Sequence, residues 1–180
     1  RYSVPTIAVL YREKGCRFVT LLSHLGGASR DTLSETLADL IAAGVVIRNP
    51  GYGHPLRPEY VLTPLGMAVG EACIEMVKAV SERELVEIAL KKWPMLVATA
   101  IGRGAQRHHE LMSALPGITP RSLSAALKDL QAEGLITRIV GAEYPPRTRY
   151  RLTEAGESLF VPLNVLVTAA ERADAARAGE

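Results

Sequence analysis

Cysteine is nearly missing from this 180-residue chain: Cys16 and Cys73 stand alone, and they form no CxxC pair. A disulfide framework is therefore excluded, and a reducing cytoplasm is the expected setting. Long apolar runs are missing too. No stretch of about 18 uncharged apolar residues occurs, so no membrane crossing is expected. The net charge is only +2, so a polyanionic partner must be argued from where the charges sit, not from their total. A phosphate-cradling glycine loop, a nucleophile elbow, an HExxH and a paired-carboxylate constellation are all absent. Neither an enzyme nor a cofactor is expected. The chain opens on Arg1 instead of Met and shows no signal-peptide pattern, as a trimmed chain would.

What is present is a repeat. Residues 17–66 align without a gap on residues 107–156, with twenty identities in fifty positions. The matches include Gly27/Gly117, Leu33/Leu123, Asp39/Asp129, Gly44/Gly134, Arg57/Arg147, Tyr60/Tyr150, Thr63/Thr153 and Gly66/Gly156. One long period repeated once means a duplicated folding unit rather than a solenoid. With 48% apolar and 22% charged residues, two ordinary globular domains are expected, over residues 1–80 and 81–180.

The second copy reads most clearly. Pro94, after Trp93, opens a short apolar helix, and "QRHHELMSAL" is the next. In "GITPRSLSAALKDLQAEGLI", Thr119 is an N-cap, Pro120 the first helical residue and Gly134 the stop. Leu123, Ala126, Leu127 and Leu130 recur at helical spacing and form a buried stripe. "LITRIV", a turn-rich "GAEYPPRT" and "RYRLT" then make a two-stranded hairpin, and Thr153 caps a closing helix that Pro162 should kink or restart. The first copy repeats the plan, with a helix from Pro5 to Lys14, "CRFVTLLSHL" as the second helix and Ser29 capping the third. After its hairpin a helix runs to about Val80, and Ser81 with Glu84 reads as a capping box for a further helix to about Lys92. The expected fold class is mainly α with small β-hairpins: two tandem winged helix-turn-helix domains joined by helices.

These residues carry a resemblance. From Trp93 to about Leu166, "GITPRSLSAALKDLQAEGLITR", "YPPRTRYRLTEAG" and the closing helix resemble the HxlR-type transcriptional regulators, relatives of the MarR group. The first half is similar in plan, with "HPLRPEY" where the second has "PPRTRY". The resemblance implies double-stranded DNA as the partner and transcriptional control, of a bacterial type, as the role. It implies one unit per chain and pairing as homodimers, whereas here two units are fused. It also suggests a redox-sensing role near Cys16, which lies between Lys14 and Arg17, cations that would favour thiolate. The residues themselves favour the plainer reading of Cys16 as a half-buried structural thiol, and Cys73 reads as core.

Charge distribution agrees with a DNA partner. From Lys91 to Thr153 ten Lys/Arg face four Asp/Glu; from Arg1 to Thr63 the numbers are seven and five. In the second unit the third helix offers Arg121, Ser122, Ala125 and Lys128, and the wing offers Arg147, Arg149 and Arg151. Arg121 suits a guanine edge and Lys128 a phosphate. In the first unit the candidates are Arg30, Thr32, His54 and Arg57, beside Asp31 and Glu35, which repel phosphate. Weaker DNA contact by this unit is expected, with the two units acting as a built-in pseudo-dimer on half-sites about one helical turn apart.

The rival is a tandem winged-helix docking module, as in chromosome organisation, with weak or no DNA binding. The acidic third helix of the first unit fits it; the arginine wing of the second does not. His108 and His109 are adjacent on a helix and point about 100° apart, so they read as surface residues rather than metal ligands. The helices over 71–80 and 163–176 are read as inter-unit core or as a homodimer interface. A cytoplasmic, nucleoid-associated location follows. Effector, operator and the sense of regulation are not written in these residues.

Overall fold

In a computed structural model, which describes residues 2–49, 58–142, 144 and 146–178, the strongest local signal becomes helix α8 (Pro120–Ala132). The Thr119 hydroxyl accepts the Ser122 N–H at 3.1 Å and so satisfies one free donor of the first turn. Leu123, Ala126, Leu127 and Leu130 are buried. The helix ends where Gly134 turns left-handed at φ +66°. There Leu135 N–H donates to the Leu130 carbonyl at 2.9 Å and Gly134 N–H to that of Gln131 at 3.1 Å, the paired bonds of a Schellman stop. Helix α3 (Arg30–Ala42) is built alike, with Ser29 Oγ accepting from Thr32 N–H at 3.1 Å and Gly44 left-handed at φ +69°.

The first unit runs α1 (Ser3–Glu13), β1 (Cys16–Arg17), α2 (Phe18–His24), α3, β2 (Val46–Asn49), β3 (Glu59–Leu62) and α4 (Pro64–Glu82). Its sheet has the order β1-β3-β2, with Cys16 opposite Tyr60 and Val46 opposite Leu62. Leu10, Leu21, Leu33 and Val46 lie at the centre of the core, at most 1% exposed. After a one-turn helix α5 (Val86–Ala89), the second unit runs α6 (Pro94–Gly102), α7 (His108–Ala114), α8, β4 (Ile136–Val140), β5 (Thr148–Leu152) and α9 (Glu154–Ala178). Among the described residues its β4-β5 hairpin has no third strand, but Tyr150 N–H donates to the Gln106 carbonyl at 2.8 Å, at the repeat position of Cys16. Leu111, Leu123, Leu130 and Val97 are its fully buried centre.

One clamp explains a repeated pair of residues. Thr63 Oγ1 donates to the Gly44 carbonyl at 2.7 Å and accepts Gly66 N–H at 3.2 Å. Thr153 does the same with Gly134 and Gly156, at 2.7 and 3.1 Å. A β-carbon on Gly66 would strike the Val45 carbonyl, and one on Gly156 that of Leu135. Only glycine lets the helix after each wing start so close to the backbone after the third helix.

Three expectations are corrected. Cys16 lies in strand β1, not at a helix start, because its backbone pairs with Tyr60. Ser81 and Glu84 end a helix instead of opening one. Glu84 is left-handed at φ +55°, and Leu85 N–H donates to the Val80 carbonyl at 2.9 Å, so the same residues form a C-terminal stop to α4. Pro162 sits inside an unbroken α9, where the loss of one backbone bond does not end the helix. By compactness the chain divides into units of residues 1–78 with 165–180 and residues 79–164. The reason is packing: Leu166 and Ala169 lie against the first-unit core of Ile7, Val69 and Cys73.

Candidate nucleic-acid interface

In the second unit α8 and the β4-β5 wing carry the candidate basic residues. Gly117, left-handed at φ +82°, makes the turn into α8. Arg121, Ala125 and Lys128 are exposed on α8, while the leucine stripe faces inward. Ser122 differs from expectation in its role: its hydroxyl is engaged with Thr119 Oγ1 at 2.9 Å, so it serves the helix cap first. Asp129 would be the one acid on this helix, but Lys91 Nζ lies 2.7 Å from its carboxylate. The hydrogen bond to Asp129, and the carboxylates around it, hold the Lys91 ammonium above its ordinary pKa.

The wing brings its arginines together. Register pairs Thr137 with Arg151 and Ile139 with Arg149, so both arginines share one face of the hairpin, and both are exposed. Tyr150 and Leu152 alternate to the other side and are half-buried. Arg147 joins the first two around a cleft of about 290 Å³ that Ile139 and Gly141 complete. Three guanidinium groups around one open cleft form a ready anion site.

Two cations were missed by sequence reasoning as members of this face. Lys91 and Lys92 border a shallow depression with Trp93, Ser122 and Ala125, beside the exposed side of α8. The Lys92 ammonium sits 4.6 Å from the centre of the Trp93 ring. The "KKW" before Pro94 was the available signal, but its nearness to α8 depends on tertiary packing.

The first unit places other chemistry at the same positions. Arg30 is exposed at the start of α3, but Asp31 stands where the second unit has Arg121, and Glu35 where it has Ala125. Thr32 Oγ1 is held 2.9 Å from Ser29 Oγ, as Ser122 is by Thr119. On the wing, Glu59 and Val61 replace Arg149 and Arg151, and Glu59 lies 3.7 Å from Arg17. The expected contacts His54 and Arg57 fall outside the described residues.

The other signals resolve plainly. Burial, with Glu13 and Glu59 adding to it, pushes the Cys16 thiol up to about 11, so the expected thiolate is reversed. The pull of Lys14 and Arg17 does not prevail. Burial alone pushes Cys73 up to about 12. His108 and His109 are exposed at the start of α7. Glu110 turns back to accept the N–H groups of Gln106 and Arg107 at 2.8 and 2.9 Å, and those bonds hold its carboxyl below the usual range. Among the described residues no cluster of metal-ligating side chains occurs, and no helix is long and apolar enough to cross a membrane. In the segments considered for core or dimerisation, Ala72, Cys73, Met76, Val80 and Leu163 are buried, whereas Ile74 and Val165 are exposed.

Helix, turn, exposed third helix and basic wing together define a winged helix-turn-helix protein. The chain belongs to the HxlR-like helix-turn-helix family, whose model matches it twice, over residues 3–86 and 88–176. It is 32% identical over 97 residues to an uncharacterised HTH-type transcriptional regulator of Synechocystis, covering 54% of this chain and 72% of that one. It is 40% identical over 74 residues to the uncharacterised HTH-type transcriptional regulator YvaP of Bacillus subtilis, covering 41% and 68%. Among solved structures it is similar to the reduced form of the transcriptional regulator YodB of B. subtilis, with a TM-score of 0.44 and 25% identity over 51% of this chain and 90% of that one. The family is one of helix-turn-helix proteins, and these relatives are HTH-type transcriptional regulators.

Proposed function

We propose that this protein is a sequence-specific regulator whose second unit dominates DNA binding. Arg121, at the entering end of α8, reads a base edge in the major groove. Lys128, Lys92 and the wing arginines hold phosphates on either side. The carrying observation is the contrast at equivalent positions: Arg121, Arg149 and Arg151 in the second unit against Asp31, Glu59 and Val61 in the first. With Asp129 paired to Lys91, the second unit presents little negative charge to a duplex. The first unit contributes more weakly, through Arg30. Homodimer formation would use the helices over 71–80 and 163–176, where the apolar residues Ile74 and Val165 are exposed.

The test is a salt-dependent duplex titration of the full chain, preceded by selection of its binding site from random sequence. Five to eight phosphate contacts, an order-of-magnitude estimate, would make affinity fall by about 10³-fold or more between roughly 50 and 200 mM salt. An affinity indifferent to salt, or no duplex binding at about 50 mM salt, would favour the docking-module reading.

A further inference from the structure

Cys73, fully buried on α4, lines a cavity of about 230 Å³ that belongs wholly to the first unit. Its walls come from α1 through Ile7, from the turn after α3 through Val45, from α4 through Val69, and from the C-terminal part of α9 through Leu166. Of its ten lining residues, nine are aliphatic and the tenth is the Cys73 thiol. The pocket is open on one side, where Ala170 is exposed and Leu166 and Ala169 are half-buried, so a guest can enter without unfolding the unit. An enclosed apolar cavity of about 150 Å³ takes up benzene; this pocket offers more room.

The repeat shows how the space arises. Ninety residues on from Val45, Val69 and Cys73 stand Leu135, Leu159 and Leu163, all buried. At these three positions the first unit has the smaller side chain, while Ile7 and Leu65 are larger than their counterparts Val97 and Ala155, so the space lies on the side of Val45, Val69 and Cys73. Truncations of this kind leave lining atoms without neighbours unless something else fills the room. No lining residue carries a charge, so an ionised ligand would be desolvated without a counter-ion. Ala169 and Ala170 make the α9 wall low, which leaves depth for a flat or compact guest.

We propose that the first unit binds a small, neutral, apolar molecule, aromatic or aliphatic, in the cavity between α1, α4 and the C-terminal part of α9. Scaling from the benzene-sized case, it holds on the order of eight to ten non-hydrogen atoms. Occupancy ties Leu166 and its neighbours more firmly to α1 and α4, and so sets how well the C-terminal part of α9 stays docked. None of the residues proposed for DNA contact lines the cavity, so the site stands apart from the regulator reading.

The full chain is titrated with benzene and with indole, with benzoate as a charged control, and followed by thermal melting and methyl NMR. Benzene and indole raise the melting temperature by a few degrees, because a ligand that binds only the folded state stabilises it. Both shift the Val69 and Leu166 methyl signals saturably, and benzoate does neither. The variant Val69→Leu/Cys73→Leu, which restores the second-unit residues, keeps its melting temperature and loses the response. Should the double variant fail to fold, Val69→Leu alone carries the comparison, with a weakened response. Methyl signals indifferent to both apolar probes, or an undiminished response in the filled variants, overturns the proposal. So does a change in sedimentation of the filled variants without probe binding, which would assign the cavity to a contact between copies. A parallel duplex titration reports on the DNA reading separately.

Discussion

The ring of Phe160 covers Gly102 so closely that a β-carbon on Gly102 would strike its Cγ and one edge. In the first unit the glycine is on the other helix: Gly70, at the repeat position of Phe160, lies under the ring of Tyr11, one residue before the counterpart of Gly102. Each unit thus closes its first helix on the helix after its wing by a different fit. Gly102→Ala is expected to destabilise the protein by about 1–3 kcal/mol, despite the helix preference of alanine, because the contacted ring atoms near Cγ cannot swing aside. Adding Phe160→Leu recovers part of the loss. Chemical denaturation of the single and double variants checks both, and a neutral Gly102→Ala would contradict the close contact.

Lys14 is left-handed at φ +56°, and its repeat counterpart is Gly104, at φ +106°. A non-glycine residue there loses about 1–2 kcal/mol to steric strain, while glycine gives back about 0.5–1 kcal/mol through unfolded-state entropy. Lys14→Gly should therefore stabilise by about 0.5–1 kcal/mol, read from the denaturation midpoint. A loss of stability would show that the Lys14 side chain contributes more than its backbone strain takes away.

Replacing Arg149 and Arg151 by Gln should leave stability within about 0.5 kcal/mol, since both are exposed strand residues. DNA affinity should drop for all sequences alike, and the salt slope should shrink by about two. Titrations at several salt concentrations measure both. Unchanged affinity would make these arginines plain solvated surface and raise the docking module above the regulator.

Arg121→Ala should weaken specific binding by about 1–3 kcal/mol and relax preference at one base pair. Arg30→Ala should do less, because Asp31 and Glu35 flank it on α3. Competition binding against single-base operator variants compares the two. A larger effect from Arg30→Ala would make the first unit the principal reader.

The Cys16 thiol, pushed up from 9.0 to about 11, binds its proton more tightly in the folded state. Its contribution to stability is complete below the unfolded-state value and is lost as pH rises from about 9 to about 11. Labelling of Cys16 by a thiol reagent at pH 8 should therefore be slow until denaturant opens the unit. Rapid labelling in the native protein would restore the redox-sensor expectation.

Where the determinants are local, the sequence is easy to read. Thr119, Pro120 and Gly134 set the limits of α8 within sixteen residues, and the alternation of Arg149, Tyr150, Arg151 and Leu152 shows which side of the wing is wet. Where the determinants are distant, it is not. Cys16 is a strand residue because of Tyr60, forty-four positions away, and no neighbouring residue announces it. Ser81 and Glu84 fit both ends of a helix equally well, and the preceding α4 decides which end they form. Lys91 belongs to the basic face only because its ammonium reaches Asp129 on α8. The packing of Leu166 on the first-unit core likewise has no signal in the tail itself.

The duplication has a consequence for operator symmetry. A regulator assembled from two identical chains presents the same reading helix twice, and so is matched to palindromic sites. Here the two helices are encoded separately, and α3 and α8 already differ at Asp31/Arg121, Glu35/Ala125 and Ala38/Lys128. A mutation in one no longer changes the other. If α3 and α8 of a single chain both read bases, the sequence recognised is free to be directional, and such an operator would fix which way the protein faces along a promoter.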